Sequence, residues 1–187
     1  MRLLIVRHGE STANRDHLVV GWSLDLPLTE RGRHQAEKAA AAVAELVTNE
    51  SVRLFSSDAV RAVATAQAIA DRLDIEVTQT PLLREQYRGE LEGCPAGELR
   101  ALPVPEGLDI AEIAWGGGES VAEVHRRMRE LVAWLKPQVG ADDVVVLVGH
   151  GDALCILQAV LAGRGHREID WDRDVLRNAE VREVGLR

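Results

Sequence analysis

Two stretches of the chain share one pattern, a run of aliphatic residues that stops abruptly at a histidine and a glycine. Residues 3–6 run into Arg-His-Gly with the histidine at His8, and residues 144–148 run into Gly-His-Gly with the histidine at His150. Short aliphatic runs bounded by polar residues are typical of strands buried on both faces of a parallel sheet. Open α/β sheets bind ligands at the carboxyl ends of their strands, so we expect both histidines at one site.

The rest of the chain alternates between strand-like and helix-like patterns. Three further strands are predicted, at residues 52–55 and 75–78 and at 178–186, an edge strand that includes Leu186. Helices are predicted at residues 30–47, from Val60 to Leu73, from Val121 to near Pro137 and at 153–161. This alternation builds right-handed βαβ units. The predicted fold is α/β, a three-layer αβα sandwich with a mainly parallel central sheet, in a single domain over residues 1–187.

Polar residues mark the starts of the predicted helices. Thr29 is placed to cap the first helix, and any residue of the Ser-Ser-Asp stretch 56–58 can cap the second. Ser120 and Glu123 have the spacing of a capping box. In the second helix the apolar spacing predicts that Val60 faces inward with the other aliphatic residues.

Two stretches lack helical or strand periodicity. Residues 11–27 form a polar loop that is long enough to fold back over the end of the first strand. Residues 82–119 hold three of the six prolines and seven glycines, so they predict irregular structure. We expect 82–119 to be a cap-like excursion over the site rather than a separate domain.

Composition and charge exclude several classes of protein. A net charge of -8 argues against binding to nucleic acid or to an anionic membrane, because both need clustered basic residues. Cys94 and Cys155 lie far apart and lack the spacing of a zinc site or a redox pair. The amino-terminal apolar run is too short for a signal peptide, so a cytoplasmic location is expected. Oligomeric state is left open, with a homodimer as the alternative to a monomer.

The predicted site is rich in positive and hydrogen-bond-donating groups. Arg7 precedes the first histidine, Arg61 lies in the first turn of the second helix, and the helix after His150 points its amino terminus at the same place. Such a pocket suits a dianion such as phosphate. The sequence has no phosphate-binding Gly-Lys-Ser/Thr loop and no carboxylate cluster for magnesium, so we expect no metal and no cofactor. The protein must then supply its own nucleophile, and a neutral imidazole can serve.

Phosphoryl transfer from an alkyl ester also needs a proton donor, because an alkoxide leaves poorly at neutral pH. The stretch after residue 82 offers three carboxyl groups, at Glu85, Glu90 and Glu92. Chemistry alone does not choose among them.

These motifs together resemble the histidine phosphatase superfamily, which includes cofactor-dependent phosphoglycerate mutases and many small-molecule phosphatases. The resemblance rests on Arg-His-Gly-Glu at 7–10, Leu-Pro-Leu-Thr at 26–29, Ser-Ser-Asp with Arg61, Leu-Arg-Glu at 83–85, Gly-Glu-Ser at 118–120 and Val-Gly-His-Gly at 148–151. It implies that His8 is the phosphorylated nucleophile, Glu85 the proton donor and His150 the second pocket histidine. It also implies a substrate-binding set made of Arg7, Asn14, Arg61 and Gly151.

Departures from the mutases indicate the phosphatase branch. Mutases resemble this chain but carry threonine, tyrosine and lysine where Val20, Arg88 and Ala96 stand, and they have an arginine pair that is missing from residues 97–118. Asp152 replaces the glycine or asparagine common in relatives. The resemblance therefore implies hydrolysis of small-molecule phosphate esters. A mutase, a phosphoprotein phosphatase, a phosphate- or partner-binding domain without turnover, and a His/Glu metal site remain as alternatives.

Overall fold

The computed structural model describes residues 1–100 and 103–185, and within them it forms one five-stranded sheet. The strands are β1 (Arg2–Arg7), β2 (Val52–Ser56), β3 (Val77–Gln79), β4 (Val144–Gly149) and β5 (Val181–Val184). Their order is β3-β2-β4-β1-β5, and every neighbouring pair is parallel except β1 and β5. The mainly parallel α/β fold is therefore confirmed, with β5 as the antiparallel edge strand.

Helices cover both faces of the sheet. They are α1 (Thr12–Arg15), α2 (Glu30–Leu46), α3 (Val60–Leu73), α4 (Val121–Leu135), α5 (Gly151–Leu161) and α6 (Trp171–Asp174). Side chains alternate across each strand, so β1 sends Leu4 and Val6 toward α2 and α3 but Leu3 and Ile5 toward α4 and α5. Two aliphatic cores result, one on each face, as the three-layer prediction requires.

The capping residues of the helices agree with the sequence prediction in two places and differ in a third. Thr29 caps α2, and Ser120 and Glu123 form a capping box at α4, as predicted. The helix α3 spans Val60–Leu73 as predicted, but the predicted cap from residues 56–58 was wrong, because the N-cap is Ala59, which makes no side-chain capping hydrogen bond. Val60, predicted to face inward, is 47% exposed at the first position of this helix.

Strand and helix limits shift by one to three residues elsewhere. The third strand begins at Val77 rather than at residue 75, and α5 begins two residues earlier than predicted, with His150 as its N-cap. The edge strand spans only Val181–Val184, and Leu186, which was predicted to belong to it, lies outside the described residues.

The two irregular stretches pack against each other. In its described part, the stretch 82–119 consists of short 3₁₀ turns, and residues 11–27 contain the one-turn helix α1. The amide of Val19 donates to the carbonyl of Cys94 at 2.8 Å, and the amide of Gly93 donates to the carbonyl of Val19 at 2.9 Å. These bonds tie the two loops together beside the carboxyl ends of β1 and β4. Among the described residues, no helix is long and apolar enough to cross a membrane.

Candidate active site

The two histidine motifs meet because β1 and β4 are parallel neighbours. Arg7 lies opposite Gly149 in the register, and the amide of His8 donates to the carbonyl of Gly149 at 3.0 Å. The imidazole centroids of His8 and His150 are 5.0 Å apart. They border a cavity of about 170 Å³, hereafter the phosphate pocket, lined by Arg7, His8, Ser11, Asn14, Leu18, Val20, Arg61, Glu85, His150, Gly151, Asp152 and Val175. All seven predicted site residues line it.

His8 is held as a neutral imidazole with one free ring nitrogen. Its Nδ1 lies 2.7 Å from the carbonyl oxygen of Gly9, which can only accept, so Nδ1 carries the proton and Nε2 has a free lone pair. Burial and the nearby charge of Arg61 lower the pKa of His8 to about 3, although the Gly9 carbonyl opposes this. A neutral, oriented imidazole is the form that can attack an electrophile.

His150 lies deeper and is held by a serine. Its Nε2 is 2.9 Å from the hydroxyl oxygen of Ser57, and its Nδ1 is buried without a hydrogen-bond partner among the described residues. Burial, followed by the neighbouring His8 and Arg61, lowers the pKa of His150 well below its usual value. A buried polar atom without a partner is rare, and here it belongs to a residue that lines the phosphate pocket.

Two arginines bring fixed positive charge to the pocket. Arg61 is 1% exposed and donates to the carbonyls of Ser23 at 2.6 Å and Gly21 at 3.2 Å. Arg7 donates to the carbonyl of Leu176 at 2.8 Å, while its Nε is buried without a partner in the described part of the chain. Charges anchored in this way cost little reorganisation when an anion develops charge between them.

Glu85 is the carboxyl group of the 82–119 stretch that enters the pocket. Its oxygens accept hydrogen bonds from the amides of Gln86 at 2.9 Å, Ala153 at 3.0 Å and Asp152 at 3.2 Å. Desolvation and the Asp152 carboxylate raise the pKa of Glu85, and the amide hydrogen bonds and Arg88 oppose the rise. A carboxyl group with a raised pKa is suited to donate a proton.

The other two candidate carboxyl groups do not line the pocket. Glu90 is exposed. Glu92 accepts hydrogen bonds from the amide of Trp22 at 2.6 Å and from the amide and hydroxyl of Ser23 at 2.9 Å and 2.6 Å. Glu92 therefore fixes the loop whose carbonyls accept hydrogen bonds from Arg61. Of the three carboxyl groups that chemistry alone could not distinguish, Glu85 is the one that lines the phosphate pocket.

Three supporting residues were not predicted as part of the site. Ser57, predicted only as a candidate helix cap, contacts His150 instead. The hydroxyl of Thr65 accepts from the amide of Gly9 at 3.1 Å, and the amide of Asn178 donates to the carbonyl of His8 at 3.1 Å and to the side-chain oxygen of Asn14 at 3.2 Å. Thr65 lies one helical turn after Arg61, to whose carbonyl its hydroxyl donates at 2.8 Å, but no local pattern marks Asn178.

Metal ligands and reactive thiols are not gathered at this site. Among the described residues, no group of three or more His, Cys, Asp or Glu side chains is placed to hold a metal ion. Cys94 is half-buried and Cys155 is buried, and neither is in a disulfide. Burial raises the pKa of the Cys155 thiol to about 12.

Comparisons with known proteins agree with this geometry. A family model described as histidine phosphatase superfamily (branch 1) matches residues 3–187. A fructose-2,6-bisphosphatase TIGAR of Xenopus tropicalis is 35% identical over 71% of this chain and 49% of its own length, so the chain spans about half of that relative. A glucosyl-3-phosphoglycerate phosphatase of Mycolicibacterium vanbaalenii is 36% identical over 87% of this chain and 74% of its own. The structure of a mycobacterial glucosyl-3-phosphoglycerate phosphatase complexed with VO3 superposes with a TM-score of 0.83 at 30% identity, covering 97% of this chain and 90% of that one.

Proposed function

The chain belongs to the histidine phosphatase superfamily, and from this premise we propose that it hydrolyses small-molecule phosphomonoesters through a phosphohistidine at His8. The observation that carries the proposal is the pairing of a neutral His8, whose Nε2 is free, with two anchored guanidinium groups that line the same cavity of about 170 Å³. The two relatives named above are described as phosphatases of small phosphate esters, and they support the same reaction class. Relatives described as probable phosphoglycerate mutases, 34–35% identical over 98% of this chain, keep the mutase as the second candidate.

In the first half-reaction, Nε2 of His8 attacks phosphorus and forms an N–P bond while the ester P–O bond breaks. Arg7, Arg61 and His150 stabilise the charge that spreads over the equatorial oxygens. The protonated carboxyl group of Glu85 gives its proton to the leaving oxygen, so the product departs as an alcohol.

In the second half-reaction, water attacks the phosphohistidine. Glu85, now a carboxylate, takes a proton from the water as the new P–O bond forms. The N–P bond breaks, its electron pair returns to Nε2 of His8, and inorganic phosphate leaves. The enzyme is then in its starting protonation state.

The proposal also covers the domain organisation of the chain. Residues 1–187 would act as a single domain, with 82–119 as a cap-like excursion that borders the leaving-group side. A cytoplasmic location and a homodimer remain predictions from the sequence.

The test is release of inorganic phosphate from a panel of sugar phosphates, phosphoglycolate, phosphoglycerates, nucleoside monophosphates and phosphopeptides. We expect turnover of small esters, competitive inhibition by vanadate and unchanged activity in chelator. Loss of most activity in chelator, restored by a divalent ion, would reject the proposed chemistry. Transfer of phosphate to a second substrate molecule, stimulated by a bisphosphorylated primer, would favour a mutase instead.

A further inference from the structure

An ion pair separates the phosphate pocket from a second, larger cavity. The guanidinium of Arg88 pairs with the carboxylate of Asp152. Asp152 lines the phosphate pocket, whereas Arg88 lines a cavity of about 300 Å³ together with Gln86, Trp115 and Trp171. The pair therefore forms part of the wall between the two, next to Glu85, the proposed proton donor to the leaving oxygen.

The cations on this side are already neutralised. Arg88 pairs with Asp152, and Arg167, which also lines the larger cavity, pairs with Glu112 and Asp109. In the proposed reaction, Arg7 and Arg61 bind the phosphoryl group. Apart from Arg7 and Arg61, the described residues that line the two cavities thus include no arginine or lysine outside an ion pair that could bind a second anion on the substrate.

Asp152 adds a repulsive element to this arrangement. The ion pair is neutral as a whole, but Asp152 lines the phosphate pocket and Arg88 does not, so a leaving group there lies nearer to the carboxylate. A second phosphate or a carboxylate on the leaving group is therefore disfavoured. The same carboxylate accepts hydrogen bonds from hydroxyl groups, and the tryptophans at the larger cavity offer flat apolar surface with a polar edge. An uncharged leaving group that carries hydroxyl groups avoids the repulsion, can donate a hydrogen bond to the carboxylate and can pack against the tryptophans.

We propose that the Arg88–Asp152 ion pair selects phosphomonoesters whose leaving group is uncharged, and that this group lies against the pair and reaches into the cavity beyond it. This inference rests on the proposed function. The pair supplies selectivity by occupying Arg88, which would otherwise be free to bind an anionic substituent. Arg88 and Asp152 are thus specificity-determining residues.

A purely structural role for Asp152 makes a different prediction. The residue lies in the first turn of α5, where a negative charge is favoured by the helix dipole. If that were its whole role, replacing it would alter stability but would leave the choice between charged and uncharged substrates unchanged.

The experiment compares two nearly isosteric esters, glycerol 3-phosphate and 3-phosphoglycerate, which differ by a hydroxymethyl group against a carboxylate. In the wild type, kcat/KM should favour glycerol 3-phosphate by roughly 10-fold or more, the size of one charged contact. Asp152→Asn keeps the shape, removes the repulsion and frees Arg88, so the preference should shift toward 3-phosphoglycerate by at least roughly 10-fold. Adding Arg88→Met to that variant should reverse most of the shift.

Glu50→Gln is the matched control, since it removes a carboxylate from an ion pair with Arg2 at the opposite end of β1. It should leave the substrate preference as in the wild type. If turnover of an ester is too slow to follow, the ratio of inhibition constants against p-nitrophenyl phosphate gives the same comparison.

A wild type that prefers 3-phosphoglycerate, or an Asp152→Asn variant with an unchanged ratio, would overturn the inference. Its failure is distinguishable from failure of the proposed function, which is measured by phosphate on His8 during p-nitrophenyl phosphate turnover. If His8 is labelled but the ratio of kcat/KM for the two esters is unchanged, only the proposed selectivity fails. If the enzyme is neither labelled nor active, both the selectivity and the proposed function fail.

Discussion

The imidazole rings of His8 and His150 meet edge to face, with centroids 5.0 Å apart and planes inclined by 65°. Each follows a strand of the parallel pair β1 and β4, but their partners differ. His8 hydrogen-bonds a backbone carbonyl that leaves Nε2 free, whereas the Nε2 of His150 is held by Ser57. Two chemically similar residues at one site are therefore prepared for different tasks, and this asymmetry predicts which one is phosphorylated.

We expect the covalent intermediate on His8. Quenched turnover followed by mass spectrometry should place phosphate on the peptide that contains His8, with the acid-labile and base-stable behaviour of a phosphoramidate. His8→Ala should lose labelling and turnover, whereas His150→Ala should slow labelling but leave it on His8. Phosphate on a serine, an aspartate or His150 would contradict the assignment.

Arg61 should contribute more to the transition state than to substrate binding. Its buried guanidinium meets charge that becomes more concentrated during transfer, so Arg61→Ala should lower kcat/KM by roughly 10²- to 10³-fold, mainly through kcat. Steady-state kinetics on one small ester measures this. Arg72→Ala changes an exposed arginine of the same helix and should behave as the wild type. A rise in KM alone would show that Arg61 binds only the ground state.

Acid should destabilise the protein through its buried histidines. The pKa of His8 is about 3 in the folded state, against an ordinary value of 6.5, and that of His150 is also lowered. Between these two pKa values the unfolded chain therefore binds more protons than the folded chain. The stability contributed by the neutral histidines is present above about pH 6.5 and is lost as pH falls toward about 3. Each histidine contributes a slope of at most about 1.4 kcal/mol per pH unit.

The measurement is denaturant unfolding at pH 7 and pH 5 in buffer without phosphate. His150→Gln should lose less free energy of unfolding between these values than the wild type. Asn178→Ala removes a polar side chain that does not titrate from the same site, and it should keep the wild-type slope. Equal slopes for all three proteins would show that the histidines are not held neutral by the fold.

Much of this arrangement could be predicted from sequence because it follows from strands and helix ends. Aliphatic runs located β1 and β4, and the parallel pairing then placed both histidines together. Contacts made through loops could not be predicted, since nothing local indicates that Asn178 bonds to the carbonyl of His8 or that Arg88 reaches Asp152. The N-cap of α3, rather than its start at Val60, was mispredicted, because Ala59 takes that position and the hydroxyl of Ser57 contacts His150.

The assignment of Glu85 as proton donor predicts a dependence on the leaving group. Its carboxyl group lies in the pocket with a raised pKa, and three amides orient it. Glu85→Gln keeps the size of the side chain but cannot donate as an acid. Alkyl phosphates should therefore react roughly 10²- to 10⁴-fold more slowly, about 2.7 to 5.5 kcal/mol of barrier, while an activated aryl ester should still phosphorylate His8 rapidly.

The proposed mechanism also has Glu85 assist the attacking water, so the variant should accumulate phosphoenzyme with the aryl ester and show a burst of phenolate. Glu90→Gln is the matched control, since Glu90 lies in the same stretch and is exposed. Glu92→Gln is unsuitable for that purpose, because it would release the loop that holds Arg61. If Glu85→Gln slowed phosphorylation by alkyl and aryl esters equally, the proton would have to come from another group, although His8 could still be the nucleophile.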